Sequence, residues 1–259
     1  MRIRMIIAMA GAAAMLLTGT AHAYPIKDST LTENSLYGSG RLADSTCTEP
    51  PIKDGSRAQA KRYIRAVVGC LDTAWEGHLT AAGISFAKPK VVFFDKLPKK
   101  YCGYTLETEP GSYAMYCLQS RTIMIRLGRD WLQGTDDLWM LHATGALYGS
   151  HVMGLAGIVT AYEKAPYRNK GELHEQNRRY SLQSDCLGAV FVRSVQDSLG
   201  RGSRDWKKLT GVLKASGDHK GEDRTFGKGS TRVSWSARGY AEADPGACNT
   251  WSAPSSKVS

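Results

Sequence analysis

Residues 138–158, LWMLHATGALYGSHVMGLAGI, are apolar or small on nearly every face of a helix, and no other stretch constrains the fold as strongly. A helix with one polar face can lie on a surface, but one that is apolar all round must be covered from several sides. Thr135 offers a hydroxyl cap, and Asp136 and Asp137 put acids at the positive helix end. The flanking sequence therefore has to supply the elements that wrap this helix.

A first covering helix opens at Ser56, where the hydroxyl and Gln59 form a capping box. Ala60, Tyr63, Ile64, Val67, Val68, Leu71, Trp75 and Leu79 repeat at threes and fours, and Gly83 closes it. Residues 91–94 form a short apolar strand, and residues 101–127 read as β structure with strands at 113–117 and 121–127. In the second of these, Ile123, Ile125 and Leu127 alternate with Met124 and Arg126, which predicts one buried face. A polar loop at 160–170 leads to a helix over 172–199 with two apolar faces, Leu182, Cys186, Ala189 and Val190 on one and Leu187, Phe191 and Val195 on the other. Shorter helices are predicted at 205–215 and 230–240, before a turn at Asp244, Pro245 and Gly246. The fold class is α+β, a small sheet packed on a buried central helix and further helices.

Residues 1–23 read as a secretory signal, with Arg2 and Arg4, an apolar run over 5–17 and the cleavage site Ala21-His22-Ala23. That run is too short to favour a membrane span, so the protein is expected to be secreted, with no stable membrane insertion. Residues 24–55 form a polar lead-in, residues 56–251 the main domain, and residues 252–259 a disordered tail. The net charge of +10 suits weak binding to anionic cell-wall polymers. Basic and acidic residues are interspersed and no nucleic-acid motif is present, so nucleic acid is not an expected partner. The basic run 201–214 reads as a solvated helix face.

All six cysteines, Cys47, Cys70, Cys102, Cys117, Cys186 and Cys248, lie beyond the signal. An even number in an exported chain points to disulfides, although six allow about fifteen connectivities. Proximity favours Cys47–Cys70 and Cys102–Cys117 and leaves Cys186–Cys248 as the remainder. Without paired Cys-x-x-Cys spacing, metal ligation by sulfur is not expected.

Several local patterns occur in order: Asn34-Ser35-Leu36-Tyr37 followed by Gly40-Arg41-Leu42 and Cys47; Cys70-Leu71 with Trp75; Tyr101-Cys102-Gly103; Tyr116-Cys117; and Leu155-x-Gly157-Ile158. Then come Arg178-Arg179-x-x-Leu182-Gln183-x-Asp185-Cys186, Arg232-Val233-x-Trp235, and the run from Asp244-Pro245 to Trp251. Together, over residues 34–251, they resemble the bacterial neutral zinc metallopeptidases, which implies a zincin-like scaffold and supports the disulfide set by analogy. In such enzymes a helical His-Glu-x-x-His supplies two zinc ligands and the glutamate that activates water.

On this chain the resemblance puts that motif on Ala146, Leu147, Tyr148, Gly149 and Ser150, and the family's third ligand, a glutamate, on Ser181. Asp185 would orient a ligating histidine, but that position is Ala146. The family's late His-Gly becomes Phe226-Gly227. Alanine and leucine cannot ligate zinc and serine is a poor ligand, so no cofactor is expected. Replacing the whole set together avoids burying unpaired polar groups and predicts a cleft floor that packs.

Three residues, Tyr148, His151 and Asp185, are candidate cleft residues, and Tyr180 is a further candidate donor. His142 and His151 are nine positions apart on one helix, on opposite faces, and each is expected to be a satisfied structural histidine. His174-Glu175 resembles half a zinc motif, but arginine stands where its second histidine belongs, so the expected reading is a polar, exposed helix start. The resulting expectation is a secreted metallopeptidase homologue without hydrolytic chemistry, with a peptide or protein as partner. The alternatives are a peptidase with rearranged ligands and an extracellular scaffold.

Overall fold

The computed structural model describes residues 26–106, 111–133, 137–221 and 223–259. The signal expected over residues 1–23 and the cap expected at Thr135 and Asp136 lie outside them. In chain order the elements are α1 (Ser29–Thr32), α2 (Arg57–Ala81), β1 (Lys90–Phe93), β2 (Lys100–Tyr101), β3 (Tyr104–Thr105), β4 (Tyr113–Cys117) and β5 (Thr122–Arg126). The helices α3 (Arg129–Leu132), α4 (Asp137–Leu155), α5 (Ile158–Lys164), α6 (Lys170–Val195), α7 (Ser203–Ala215) and α8 (Gly229–Glu242) follow. This is an α+β fold.

All eight residues of the predicted stripe on α2 are buried. Ser56 caps α2 by accepting from the Gln59 N–H, but the Gln59 side chain accepts from the Lys53 N–H rather than completing the box. Gly83 adopts φ +73°, where a Cβ would be strained, and ends the turn.

The main sheet has the order β1-β5-β4, with β1 parallel and β4 antiparallel to β5. As the central strand, β5 is buried on both faces rather than one. Ile123 and Ile125 enter the main core, while Met124 is covered by Leu97 and Leu106 from the segment that carries the β2-β3 hairpin. Among the described residues β4 is left with one unpaired edge.

Helix α4 is buried on most sides, as its composition requires. It crosses α6 at Gly145 and Gly188. A Cβ on Gly188 would stand 2.7 Å from the Ala146 backbone nitrogen, and one on Gly145 would stand 3.1 Å from the Gly188 Cα. That contact brings the two backbones together and fixes which residues of α4 face α6. Both predicted apolar faces of α6 are buried, although the helix runs over 170–195 with Asn169 as its cap.

Two expectations fail at the chain's ends. The lead-in is not a polar appendage: Leu31, Leu36 and Leu42 are 0%, 0% and 1% exposed, and the Asn34 side chain donates to the Ala156 carbonyl at 2.9 Å. These leucines have no helical or strand period, so nothing in the pattern marks them as core. Residues 252–259 are not a disordered tail either. Val258 is fully buried, the Arg178 Nε donates to its carbonyl at 2.8 Å, and the Trp235 indole N–H donates to the Lys257 carbonyl at 2.8 Å. Arg179 donates to the carbonyls of Thr250 and Ala253.

The cysteines pair as Cys47–Cys70, Cys102–Cys117 and Cys186–Cys248. Among the described residues no helix is long and apolar enough to cross a membrane. In the basic run, Arg201 departs from the expected solvated face: it is largely buried and pairs with Glu49 at 2.6 Å and Asp137 at 3.1 Å.

Candidate functional site

The α4–α6 crossing opens on one side into a cavity of about 540 Å³. Ala146, Leu147 and Ser150 reach it from α4, and Ser181, Ser184 and Asp185 from α6. Residues 146 and 150 are one turn apart, so they share a helix face. The four positions that the resemblance assigned to zinc chemistry thus meet in one place. The floor has not packed shut, contrary to expectation; aromatic walls keep it open, with Trp131 and Trp139 edge to face and Tyr162 stacked on Tyr180 at 5.0 Å.

The floor is a network of hydroxyls. Ser150 and Ser184 share a hydrogen bond at 3.0 Å, Ser184 donates to the Tyr180 carbonyl at 3.0 Å, and the Tyr180 phenol is hydrogen-bonded to Ser150. Burial pushes that phenol's pKa up to about 12. Ser181 donates to the Thr225 carbonyl at 3.3 Å. Each hydroxyl is therefore satisfied within the protein, as buried polar groups must be.

Asp185 is held by a cation. Arg232 of α8 donates through Nε at 2.7 Å and through its terminal nitrogen at 3.0 Å, one bond to each carboxylate oxygen. The same arginine reaches the Ser216 carbonyl at 2.6 Å and hydroxyl at 2.8 Å. His142 is only half satisfied. Its Nε2 lies 3.0 Å from the Asp185 carbonyl and must donate there, leaving Nδ1 a bare acceptor with no hydrogen-bond partner among the described residues. Burial lowers its pKa, so the ring is neutral and stacks on Trp139.

Of the three candidate cleft residues, Asp185 alone lines the cavity. The Tyr148 phenol donates to Asp72 at 2.7 Å, towards α2. His151 is a satisfied structural histidine: Nε2 donates to the Ala87 carbonyl at 2.7 Å and Nδ1 accepts from the Tyr116 phenol at 3.1 Å. Burial lowers its pKa to about 4. His174 and Glu175 are less exposed than a polar helix start would be. His174 lies 3.9 Å from Asp223, and Glu175 accepts from buried Arg179 at 2.7 Å.

The residues the sequence did not single out are Tyr104, Trp131, Trp139, Tyr162 and Glu163, all on the cavity walls. They come from four separate elements and form no local motif. Phe226 stands at the rim, 58% exposed.

Zinc does not fit this donor set. The four motif positions offer a methyl, an isobutyl and two hydroxyls, both Asp185 oxygens are held by a cation, and one neutral histidine nitrogen cannot hold the ion alone. Among the described residues no group of three histidines, cysteines or acids is placed to bind a metal.

Fold and cavity together define an α+β protein with an aromatic-walled cleft beside a sheet edge. The family described as "putative neutral zinc metallopeptidase" matches residues 4–251, and the chain belongs to that family. The protein YpfJ, described as uncharacterized and found in two strains of Escherichia coli, is 23% identical over 209 residues, which span 74% of this chain and 72% of YpfJ. No solved structure matches the chain.

Proposed function

We propose that the protein is an exported pseudopeptidase: a zincin-like metallopeptidase scaffold that has lost zinc and hydrolysis and retains a groove for an extended peptide or protein segment. The observation that carries the reading is the coincidence of Ala146, Leu147, Ser150 and Ser181 in one open cavity beside a strand edge that is unpaired among the described residues. Side chains alternate along a strand, so a cavity on one face would touch every second residue. Tyr113, Ala114, Met115 and Tyr116 all line it, so the cavity runs along the edge of β4. An unpaired edge offers backbone donors and acceptors to an added strand. The three disulfides favour an oxidising compartment, and the net charge of +10 favours retention on anionic wall polymers.

The test pairs elemental analysis with binding. Purified mature protein is expected to carry no stoichiometric zinc, to leave casein uncut, and to bind members of a capped-peptide array. One retained equivalent of zinc per chain, with proteolysis that a chelator abolishes, would overturn the reading in favour of rearranged ligands. A metal-free protein that binds no peptide would leave only a scaffold.

A further inference from the structure

We propose that the groove's occupant carries a basic side chain, lysine or arginine, received at Glu163 between Tyr104 and Tyr162. This rests on the reading of the cleft as a peptide groove and names the charge of what the groove takes.

The cavity above the α4–α6 crossing does not end at its α5 wall. A second cavity of about 520 Å³ lies beyond it, lined by Gly103, Tyr167 and Asn177 among others. The two share Tyr104, Tyr162 and Glu163. These three residues form a waist in one longer groove, and an extended ligand filling both halves must pass them.

Charge at the waist is one-sided. Among the described residues the lining of both cavities carries three formally charged side chains, Glu163, Asp185 and Arg232, and the last two neutralise each other. Among the described residues no cation lies within ion-pair distance of Glu163. The Tyr104 phenol is hydrogen-bonded to its carboxylate. A carboxylate flanked by aromatic faces attracts an ammonium or guanidinium twice, by its charge and by the ring quadrupoles. An acidic or phosphorylated ligand would meet no uncommitted cation here.

The distribution of exposed aromatics points the same way. Of the five exposed large hydrophobic side chains among the described residues, Tyr104 (50%), Tyr167 (54%) and Phe226 (58%) stand on these two cavities. Apolar surface gathered on a groove marks a binding site more often than apolar surface scattered singly.

The experiment uses the full mature chain and an array of capped octapeptides, each position fixed in turn as Lys, Arg, norleucine, Gln or Glu. The wild type should prefer Lys or Arg over norleucine at one position by about fivefold, the size of one half-exposed charge and cation–π contact. In Glu163→Gln that ratio should fall to about one, and in Glu163→Lys the same position should turn to Glu. Melting temperature checks that both variants fold, as substitution at an exposed rim residue allows. Peptides bound with equal Lys and norleucine signals throughout, or a basic preference that survives Glu163→Gln, would overturn the inference while the groove stands. Failure of every peptide to bind would overturn both.

Discussion

Asp185 is the sharpest place to test whether the cavity floor is held by an ion pair. Its side chain is 9% exposed and that of Arg232 is 12%, so the pair is shielded and fully hydrogen-bonded. Asp185→Asn keeps the volume and one acceptor but removes the charge, leaving the guanidinium with one amide oxygen and Ser216 and without its counter-ion. Breaking one side of a buried pair leaves an uncompensated charge and costs about 3 kcal/mol. For a chain of this size that lowers the melting temperature by about 6–12 °C. Urea unfolding followed by far-UV circular dichroism, on Asp185→Asn, Arg232→Gln and the double variant, gives the coupling directly. We expect the two losses to overlap by about 2 kcal/mol. A Asp185→Asn protein within about 0.5 kcal/mol of the parent, or strictly additive losses, would show that the pair contributes nothing and that the α6–α8 contact is held by packing.

Further outcomes follow from the same geometry. The combined variant Ala146→His, Leu147→Glu, Ser150→His and Ser181→Glu should bind one zinc by calorimetry, since all four positions line one cavity; a folded variant that binds none would mean that the helix register is wrong. Each disulfide can be removed as a Cys→Ser pair, and Cys186–Cys248, which closes the longest loop at 62 residues, should cost most, about 4 kcal/mol; equal melting losses for all three pairs would contradict this. His151 stays neutral in the fold down to about pH 4 while the unfolded chain protonates near 6.5, so the unfolded state binds more protons in that window and stability falls with pH. Unfolding free energy at pH 5 should be about 2 kcal/mol below that at pH 7, with His151→Gln flattening the profile; a flat wild-type profile would refute it.

The helices were legible because their signals are local. The stripe on α2, the all-round apolar character of α4 and the two faces of α6 are each written in residues three or four apart. Leu31, Leu36 and Leu42 were not, because their burial comes from docking on distant partners, as with the Leu42 N–H on the Ala243 carbonyl at 2.8 Å. The second covered face of β5 was missed for a related reason: one strand's alternation cannot reveal that Leu97 and Leu106 will lie over Met124. At the site, the positions on which the family motif was laid line one cavity, while Tyr148 and His151 face other walls. The helix turns them away by about 100° per residue from the positions that look into the cavity. The open cavity itself depends on Trp131, Trp139 and Tyr162, whose meeting no local spacing announces.

The clasp on residues 250–258 ties that segment and the start of α6 into one unit. Arg178 and Arg179 sit well before the end, but the carbonyls they bind belong to Thr250, Ala253 and Val258. Releasing that segment would leave Arg179 with Glu175 and Arg178 with the Arg224 carbonyl, and a buried charge with fewer partners is costly. Loss of residues 250–258 therefore loosens the start of α6 as well as the segment itself.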